Sequence, residues 1–207
     1  MSSDFKLACM KEKIILFICI GIFSCSKSDE NTKLVAQLKN YLEAKSAKDN
    51  SHWQYMADTV KSWFDEKNGA GNIQLKSESF TGPWAEWDKE MNAYITFDSL
   101  TTDKSENSVS GIFYEFNDFY DLIGKRPTKT KRTYWFNKKN LINEVLIVWD
   151  PSNTLTAIHL KPVVEWALKN DSIEMQELYP NGEIIPSAEN ARRWKVLLNR
   201  YNKAGDF

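Results

Sequence analysis

The sequence predicts an α+β fold in which a strongly curved antiparallel sheet packs on N-terminal helices and is followed by a C-terminal helical extension. Apolar residues recur at helical spacing over residues 32–66, which indicates two amphipathic helices. Residues 131–150 form the strongest strand pattern, two long runs joined by a tight polar turn at residues 137–140. The 207 residues suffice for a single sizeable core, so one domain is expected.

The first predicted helix covers residues 32–48, with Thr32 as its cap. The second covers residues 52–66, with Ser51 as a candidate N-cap. Its apolar stripe consists of Trp53, Met56, Ala57, Val60, Trp63 and Phe64. Such a stripe is far more often core than a cofactor site, so we expect both helices to pack against the sheet.

The middle of the chain alternates short strand and helix patterns. A strand is predicted at 73–80, a helix at 83–91, strands at 92–99 and 109–116, a polar loop at 101–107 between them, and a bend at 117–124. Beyond the hairpin, the sequence predicts a short extended piece at 155–159 and helices at 162–170 and 188–202. Pro186 and Ser187 cap the last helix.

The two faces of the predicted hairpin are both largely apolar, so both are expected to be covered. One face carries Thr133, Trp135, Ile142, Glu144, Leu146 and Val148. The other carries Tyr134, Phe136, Leu141, Asn143, Val145, Ile147 and Trp149. One face meets helices and the other lines a cavity, with Glu144 or Asn143 as its polar group. A shift of one residue in register exchanges the two sets.

Five basic residues cluster just before and within the hairpin: Lys125, Arg126, Lys129, Lys131 and Arg132. The cluster is interpreted as a charged, proline-blunted edge or loop that resists edge pairing, in preference to a contact with lipid phosphates. The formal net charge of -1 gives no overall attraction to nucleic acid, so no nucleic-acid partner is predicted.

Cysteine and histidine usage argues against a metal site. All three cysteines lie within the first 25 residues, so the folded part has neither a disulfide nor a thiolate site. The two histidines, His52 and His159, are far apart and lack neighbouring ligands, whereas a zinc site needs more. No metal and no cofactor are predicted.

The N-terminus has the pattern of a secretory signal. Lys11 and Lys13 precede an apolar run at 14–23, which is about half the ~20 residues that a membrane span needs. Residues 22–25 resemble a bacterial lipobox that is cut before Cys25. The predicted organisation is therefore a signal peptide over residues 1–24, followed by lipidation of Cys25.

Residues 25–31 form the predicted lipidated tether, which holds the domain close to the membrane. The resemblance to bacterial lipoproteins extends to Ser26, because the absence of Asp at that position implies the outer membrane. The predicted location is the cell envelope, on the periplasmic or the surface face of that membrane.

The order of helices and strands resembles the NTF2-like superfamily, particularly its SnoaL-like members. Two stretches carry the resemblance, YLEAKSAKDNSHWQYMADTVKSWFDE and RTYWFNKKNLINEVLIVWDPSN. It implies a cone in which a strongly bent sheet wraps around helices and leaves a pocket. The predicted SnoaL-like domain covers residues 32–158, and residues 159–207 form a helical extension packed on the same domain.

Enzymes of this superfamily use a pocket Asp or Glu as general base with a Tyr or Asp donor, which gives candidates by placement only. The candidate carboxylates are Asp58, Glu115 and Glu144, and the candidate donors are Tyr114 and Tyr134. For Glu144, a solvated or paired strand residue is the favoured alternative. Four aromatic residues are predicted to contact a ligand: Tyr114, Tyr134, Trp135 and Trp149.

Three functions are compatible with these patterns. The leading hypothesis is a noncatalytic, membrane-anchored lipoprotein that binds a small, largely apolar or aromatic ligand in the cone. The second is an isomerase- or hydrolase-type enzyme with a buried pocket carboxylate. The third is a homodimeric interaction module that uses one sheet face as its interface. Fold by itself does not decide among them.

Overall fold

A computed structural model describes residues 30–48, 51–75 and 82–205. The predicted signal peptide, Cys25 and Ser26 lie outside the described residues, as do residues 76–80 of one predicted strand. The elements in chain order are α1 (Glu30–Ala47), a 3₁₀ helix (Ser51–Tyr55), β1 (Met56–Phe64), β2 (Asn72–Leu75), α2 (Pro83–Glu90), β3 (Tyr94–Asp103), β4 (Ser108–Phe116), α3 (Asp118–Leu122), β5 (Thr128–Phe136), β6 (Ile142–Trp149), α4 (Thr156–Asn170), α5 (Ser172–Leu178), a second 3₁₀ helix (Pro180–Gly182) and α6 (Ala188–Ala204).

The strands form one open six-stranded sheet in the order β2-β1-β6-β5-β4-β3. The predicted α+β class, with a curved sheet on an N-terminal helix and C-terminal helices after it, is confirmed. The sheet is not purely antiparallel, because β1 and β6 run parallel. The β1–β6, β3–β4 and β5–β6 pairs each contain a register shift, and such irregularities bend strands.

The predicted helix over residues 52–66 is wrong, since Met56–Phe64 form strand β1. The buried positions of this strand are Met56, Val60 and Trp63, which repeats a helical spacing. Met56 and Val60 are four residues apart and share one face of the strand, and Trp63, three residues further on, is covered on the opposite face. An irregular strand that is buried on both faces can therefore show the same spacing of apolar residues as an amphipathic helix.

The first core lies between α1 and the inner face of the sheet. The predicted stripe of α1 is confirmed, since Leu34, Leu38, Tyr41 and Leu42 are buried. They pack with inner-face residues of the sheet, among them Val109, Phe113, Tyr134, Phe136 and Val145. The helix begins at Glu30, so Thr32 lies inside it and is not the cap.

The predicted hairpin is confirmed as β5 and β6, with Asn137 organising the turn. The side chain of Asn137 accepts hydrogen bonds from the backbone N–H groups of Lys139 and Leu141. A register shift places Trp135 opposite Glu144 but Phe136 opposite Ile142. Ile142 is therefore fully buried in the first core, on the face of Phe136 and not on the predicted face of Trp135.

The basic segment does not form a sheet edge: Lys125 and Arg126 lie in the connection before β5, and Lys129, Lys131 and Arg132 lie within that strand. Strand β5 begins at Thr128 and lies between β4 and β6 in the interior of the sheet. Arg132 and Lys125 are each only 6% exposed. Sequence alternation treats every Lys and Arg as solvated, so it missed the two basic side chains that the fold buries.

The second core is helical and joins α2, α3 and the C-terminal helices. Its buried residues include Trp87, Met91, Phe119, Leu160, Met175, Trp194 and Leu198. The predicted extended piece at 155–159 is wrong, because α4 begins at Thr156 and contains Pro162 inside it. Helix α5 was not predicted. Helix α6 begins as predicted, with the Ser187 side chain accepting a hydrogen bond from the N–H of Asn190.

None of the helices in the described part of the chain has both the length and the apolarity that crossing a membrane requires.

Candidate functional site

Three adjoining cavities meet at Asp88, where the two cores approach each other. The main cavity, of about 570 Å³, lies between the end of α1, the first 3₁₀ helix, β2 and α2. A second one of about 370 Å³ lies between α2, α3 and the start of α4. A small one of about 60 Å³ lies between α1 and strands β3 and β4. Asp88 lines all three.

The main cavity has aromatic and apolar walls with charged groups around them. Its aromatic and apolar residues include Tyr41, Trp53, Met56 and Trp84. Its charged residues are Lys45, Lys48, Glu86, Asp88 and Lys89. This composition suits a small molecule with an apolar body and a polar group, since such sites are mostly apolar with a few placed polar contacts.

Helical spacing places these side chains. On α1, Tyr41, Lys45 and Lys48 are four and three residues apart, so they lie on one side of the helix end. Lys48 follows the last helical residue and adopts a left-handed backbone, with φ of 59°. On α2, Trp84 and Asp88 are also four residues apart, and Pro83 starts the helix in front of them.

Asp88 is a half-buried carboxylate with an unusual acidity. Burial, together with the nearby negative charge of Glu115, raises the pKa of Asp88 to about 6, against the opposing effect of Lys45 and Lys48. Among the described residues, none donates a hydrogen bond to this carboxylate or forms an ion pair with it at bonding distance. With a pKa of about 6, Asp88 is a carboxylate that can accept a proton from a molecule bound in the adjoining cavities.

A buried polar network on the inner face of the sheet includes Glu115, which borders the two smaller cavities. Arg132 Nη2 lies 3.2 Å from Glu115 Oε2, and Arg132 Nε donates to Thr130 Oγ1 at 2.9 Å. Burial raises the pKa of Tyr41 to about 12 and also raises the pKa of Tyr134, so both phenols are neutral at physiological pH. The network holds Glu115 in place next to Asp88.

The predicted site residues do not gather in one place. Tyr134 lies in the inner network and Glu115 borders the two smaller cavities. Tyr114 and Trp135 alternate with the buried Phe113 and Tyr134, so they lie on the outer face of the sheet. These two are not brought to the cavities, and their proposed ligand contacts stay predictions.

The other candidate residues are also separated from Asp88. Asp58 is exposed on β1. Glu144 lies on the outer face and pairs with Lys67 at 2.5 Å, and the Lys67 ammonium sits 4.1 Å from the ring centroid of Trp135. Trp149 is 46% exposed at the end of β6. Within the described ranges, no three His, Cys, Asp or Glu side chains gather as a metal centre would need.

Sequence reasoning missed Asp88, Lys45 and Lys48 as site residues. One signal was available, because Trp84 and Asp88 share a side of a short proline-initiated helix. The proximity of Lys45 to Asp88 could not be read from the sequence. The two residues belong to different helices, and only the packing of those helices brings them to one cavity.

No family model and no curated protein matches this sequence at a significant level. Solved structures are similar in part. A cystatin-like protein of unknown function from Methylobium petroleophilum PM1 is 14% identical with a TM-score of 0.47, covering 59% of this chain and 78% of that one. RV0760c from Mycobacterium tuberculosis is 17% identical with a TM-score of 0.44, covering 57% and 92%.

A third similar structure is an NTF2-like protein of unknown function from Cytophaga hutchinsonii. It is 12% identical with a TM-score of 0.39, and the similarity covers 57% of this chain and 90% of that one. The fold class of the present chain rests on its own strand order and on the packing of α1 against the sheet.

Replacing Asp88 with Asn tests the raised pKa of this carboxyl. A carboxyl whose pKa is higher in the folded than in the unfolded state makes the fold less stable as pH rises, here between about 4 and 6. Asp88→Asn should raise the free energy of unfolding at pH 7 by roughly 1–2 kcal/mol, the shift being discounted for partial exposure, and should have no such benefit at pH 4. Urea denaturation at both pH values measures this.

Asp121→Asn, at an exposed position on α3, is the matched control and should change stability little at either pH. An Asp88→Asn variant that is no more stable than the wild type at pH 7 would contradict the environment described for this carboxyl.

Proposed function

We propose that this chain is a membrane-anchored, noncatalytic protein that binds a small, largely apolar or aromatic molecule in the main cavity. The observation that carries the proposal is the cavity of about 570 Å³ with walls formed by Trp53, Met56 and Trp84. Cavities of roughly 300–1,000 Å³ with apolar linings are typical of small-molecule sites.

Trp84 is the residue most clearly suited to ligand contact. It is 55% exposed, although a ring of this size is usually covered. Its ring is backed by the buried Trp87, with the centroids 6.0 Å apart in a T-shaped arrangement. A ligand that covers Trp84 gains apolar burial against a ring that is already supported, so little side-chain freedom is lost on binding.

Binding of the neutral fluorescent probe N-phenyl-1-naphthylamine tests the proposal. The wild type should bind it with saturable enhancement of fluorescence, and Trp84→Ala should weaken binding about tenfold because an aromatic wall of the cavity is removed. Trp149→Ala is the matched control, since Trp149 is half-exposed to a similar degree but does not line the cavity.

Trp149→Ala should leave the affinity unchanged within about twofold. Absence of saturable binding by the wild type, or an equal loss of affinity in both variants, would contradict a ligand site in the main cavity.

The alternative function is an isomerase- or hydrolase-type enzyme, and one observation favours it. Asp88 faces the main cavity with a pKa raised to about 6, which is the acidity a general base needs near neutral pH. In that case Asp88→Asn should lower turnover by at least about a hundredfold, because the proton acceptor is lost. Glu86→Gln, which also lines the cavity, is the control and should retain most activity.

Turnover measured across pH would rise with an apparent pKa near 6 if Asp88 is the base. Turnover that Asp88→Asn leaves unchanged would exclude this role.

Anchoring is proposed from the sequence of the N-terminus. The basic start, the short apolar run and the lipobox-like residues 22–25 support cleavage before Cys25 and lipidation of its thiol. We place the protein at the outer membrane of the cell envelope, on its periplasmic or surface face. The predicted homodimer also stays a prediction.

Metabolic labelling with a fatty-acid analogue tests the anchor. The wild type should incorporate the label and partition with membranes, and Cys25→Ser should do neither, because the thiol that carries the lipid is gone. Cys19→Ser should keep the label. Retention of label in Cys25→Ser would refute lipidation at this residue.

A further inference from the structure

The main cavity carries more positive than negative groups. Lys45, Lys48 and Lys89 line it, against Glu86 and Asp88. Within the described chain, no carboxylate lies within ion-pair distance of any of the three lysine ammonium groups. Opposite charges on a cavity wall usually pair, and among the described residues these lysines have no carboxylate partner at bonding distance.

Two described carboxylates attract Lys48, Asp88 and Asp118, and neither forms an ion pair with it. Asp118, which attracts Lys48 at longer range, pairs with Lys195 at 2.7 Å and accepts a hydrogen bond from Asn92 at 2.7 Å. Lys195 itself repels Lys48. Asp88 supplies the larger attraction, but it forms no ion pair with Lys48 at bonding distance.

Glu115, the other nearby carboxylate, is also engaged. It forms the ion pair with the buried Arg132. Lys45 and Lys48 line the small cavity together with Glu115 and Asp88, as well as lining the main cavity. The two lysines thus line both cavities, and two of the nearby carboxylates, Glu115 and Asp118, are paired with other basic residues.

Two aromatic rings and two lysines of the main cavity come from different elements, so a ligand would contact rings with one part and lysines with another. The rings of Trp53 and Trp84 come from the first 3₁₀ helix and from α2. The two lysines come from the last turn of α1 and the residue after it. The exposed carbonyls at a helix C-terminus do not attract anions, so any anion held here is held by the lysine side chains.

We propose that the ligand of the main cavity is an amphipathic anion, an apolar or aromatic body with one carboxylate or sulfonate group, and that Lys45 and Lys48 bind the acidic group while Trp53 and Trp84 contact the body. This inference rests on the proposed ligand-binding function and names the chemical class of its ligand.

Two probes with the same body test the inference. 8-Anilinonaphthalene-1-sulfonate has the N-phenyl-naphthylamine body of the neutral probe and adds one sulfonate. The wild type should bind the sulfonate tighter than the neutral probe. Lys45→Gln/Lys48→Gln should weaken sulfonate binding at least about tenfold and change neutral-probe binding less than about twofold, because only the ionic contact is removed.

Two further variants separate ionic contact from surface charge and from folding. Lys161→Gln/Lys169→Gln removes two exposed lysines of α4 and should leave sulfonate binding unchanged. Lys45→Arg/Lys48→Arg keeps both charges and should retain most of the sulfonate affinity. Retained neutral-probe binding in every variant shows that the cavity is folded.

The outcomes are distinguishable. If the wild type binds neither probe, both the ligand-binding function and this inference fail. If both probes bind equally and the lysine variant affects neither, the binding function stands and the inference is overturned. An equal loss of sulfonate affinity in the α4 control also overturns it, because general surface charge would then explain the preference.

Discussion

The ion pair between Arg132 and Glu115 is the constraint on which the candidate site depends. A guanidinium that is 6% exposed must be paired, since an isolated buried charge is strongly unfavourable. Arg132 therefore holds Glu115 on the inner face of the sheet. Glu115 in turn contributes to the raised pKa of Asp88, and its ion pair with Arg132 keeps it from pairing with Lys45 or Lys48. Arg132 thus influences the charge environment of Asp88 through Glu115.

The C-terminal helices contribute to the site although they do not line the main cavity. Helix α2, which carries Trp84 and Asp88, packs against α6 in the second core. Phe119 lies between the rings of Trp87 and Trp194, with centroid distances of 5.6 and 5.4 Å. Arg192 of α6 forms an ion pair with Glu90 at 3.0 Å. Lys195 of α6 forms an ion pair with Asp118, so this carboxylate does not pair with Lys48. The extension thus positions one wall of the cavity and influences its charge.

Sequence patterns predicted the regular parts of the fold. They failed where a strand showed the apolar spacing of a helix and where basic side chains were buried. The α1 stripe, the Pro83 helix start, the Asn137 turn and the Ser187 cap each depend on neighbours within a few residues, so they were predictable. Strand β1 was not, because its two-sided burial reproduces a helical spacing. The buried basic residues of the segment before and within β5 were missed for a related reason. A Lys or Arg is assigned to solvent unless its partner is known, and Glu115 is 17 residues away from Arg132.

By itself, the sequence determined the α+β class, the central hairpin, the amphipathic helices at both ends and the lipobox-like pattern that predicts an anchor. Only the tertiary structure decided which carboxylate faces a cavity, and it selected Asp88 in place of Asp58 or Glu144. The reason is physical: the acidity of a carboxyl and the pairing of a lysine depend on burial and on charges a few ångströms away. Asp88 and Glu115, Glu115 and Arg132, and Asp118 and Lys195 are distant in the chain, so their mutual effects arise only on folding.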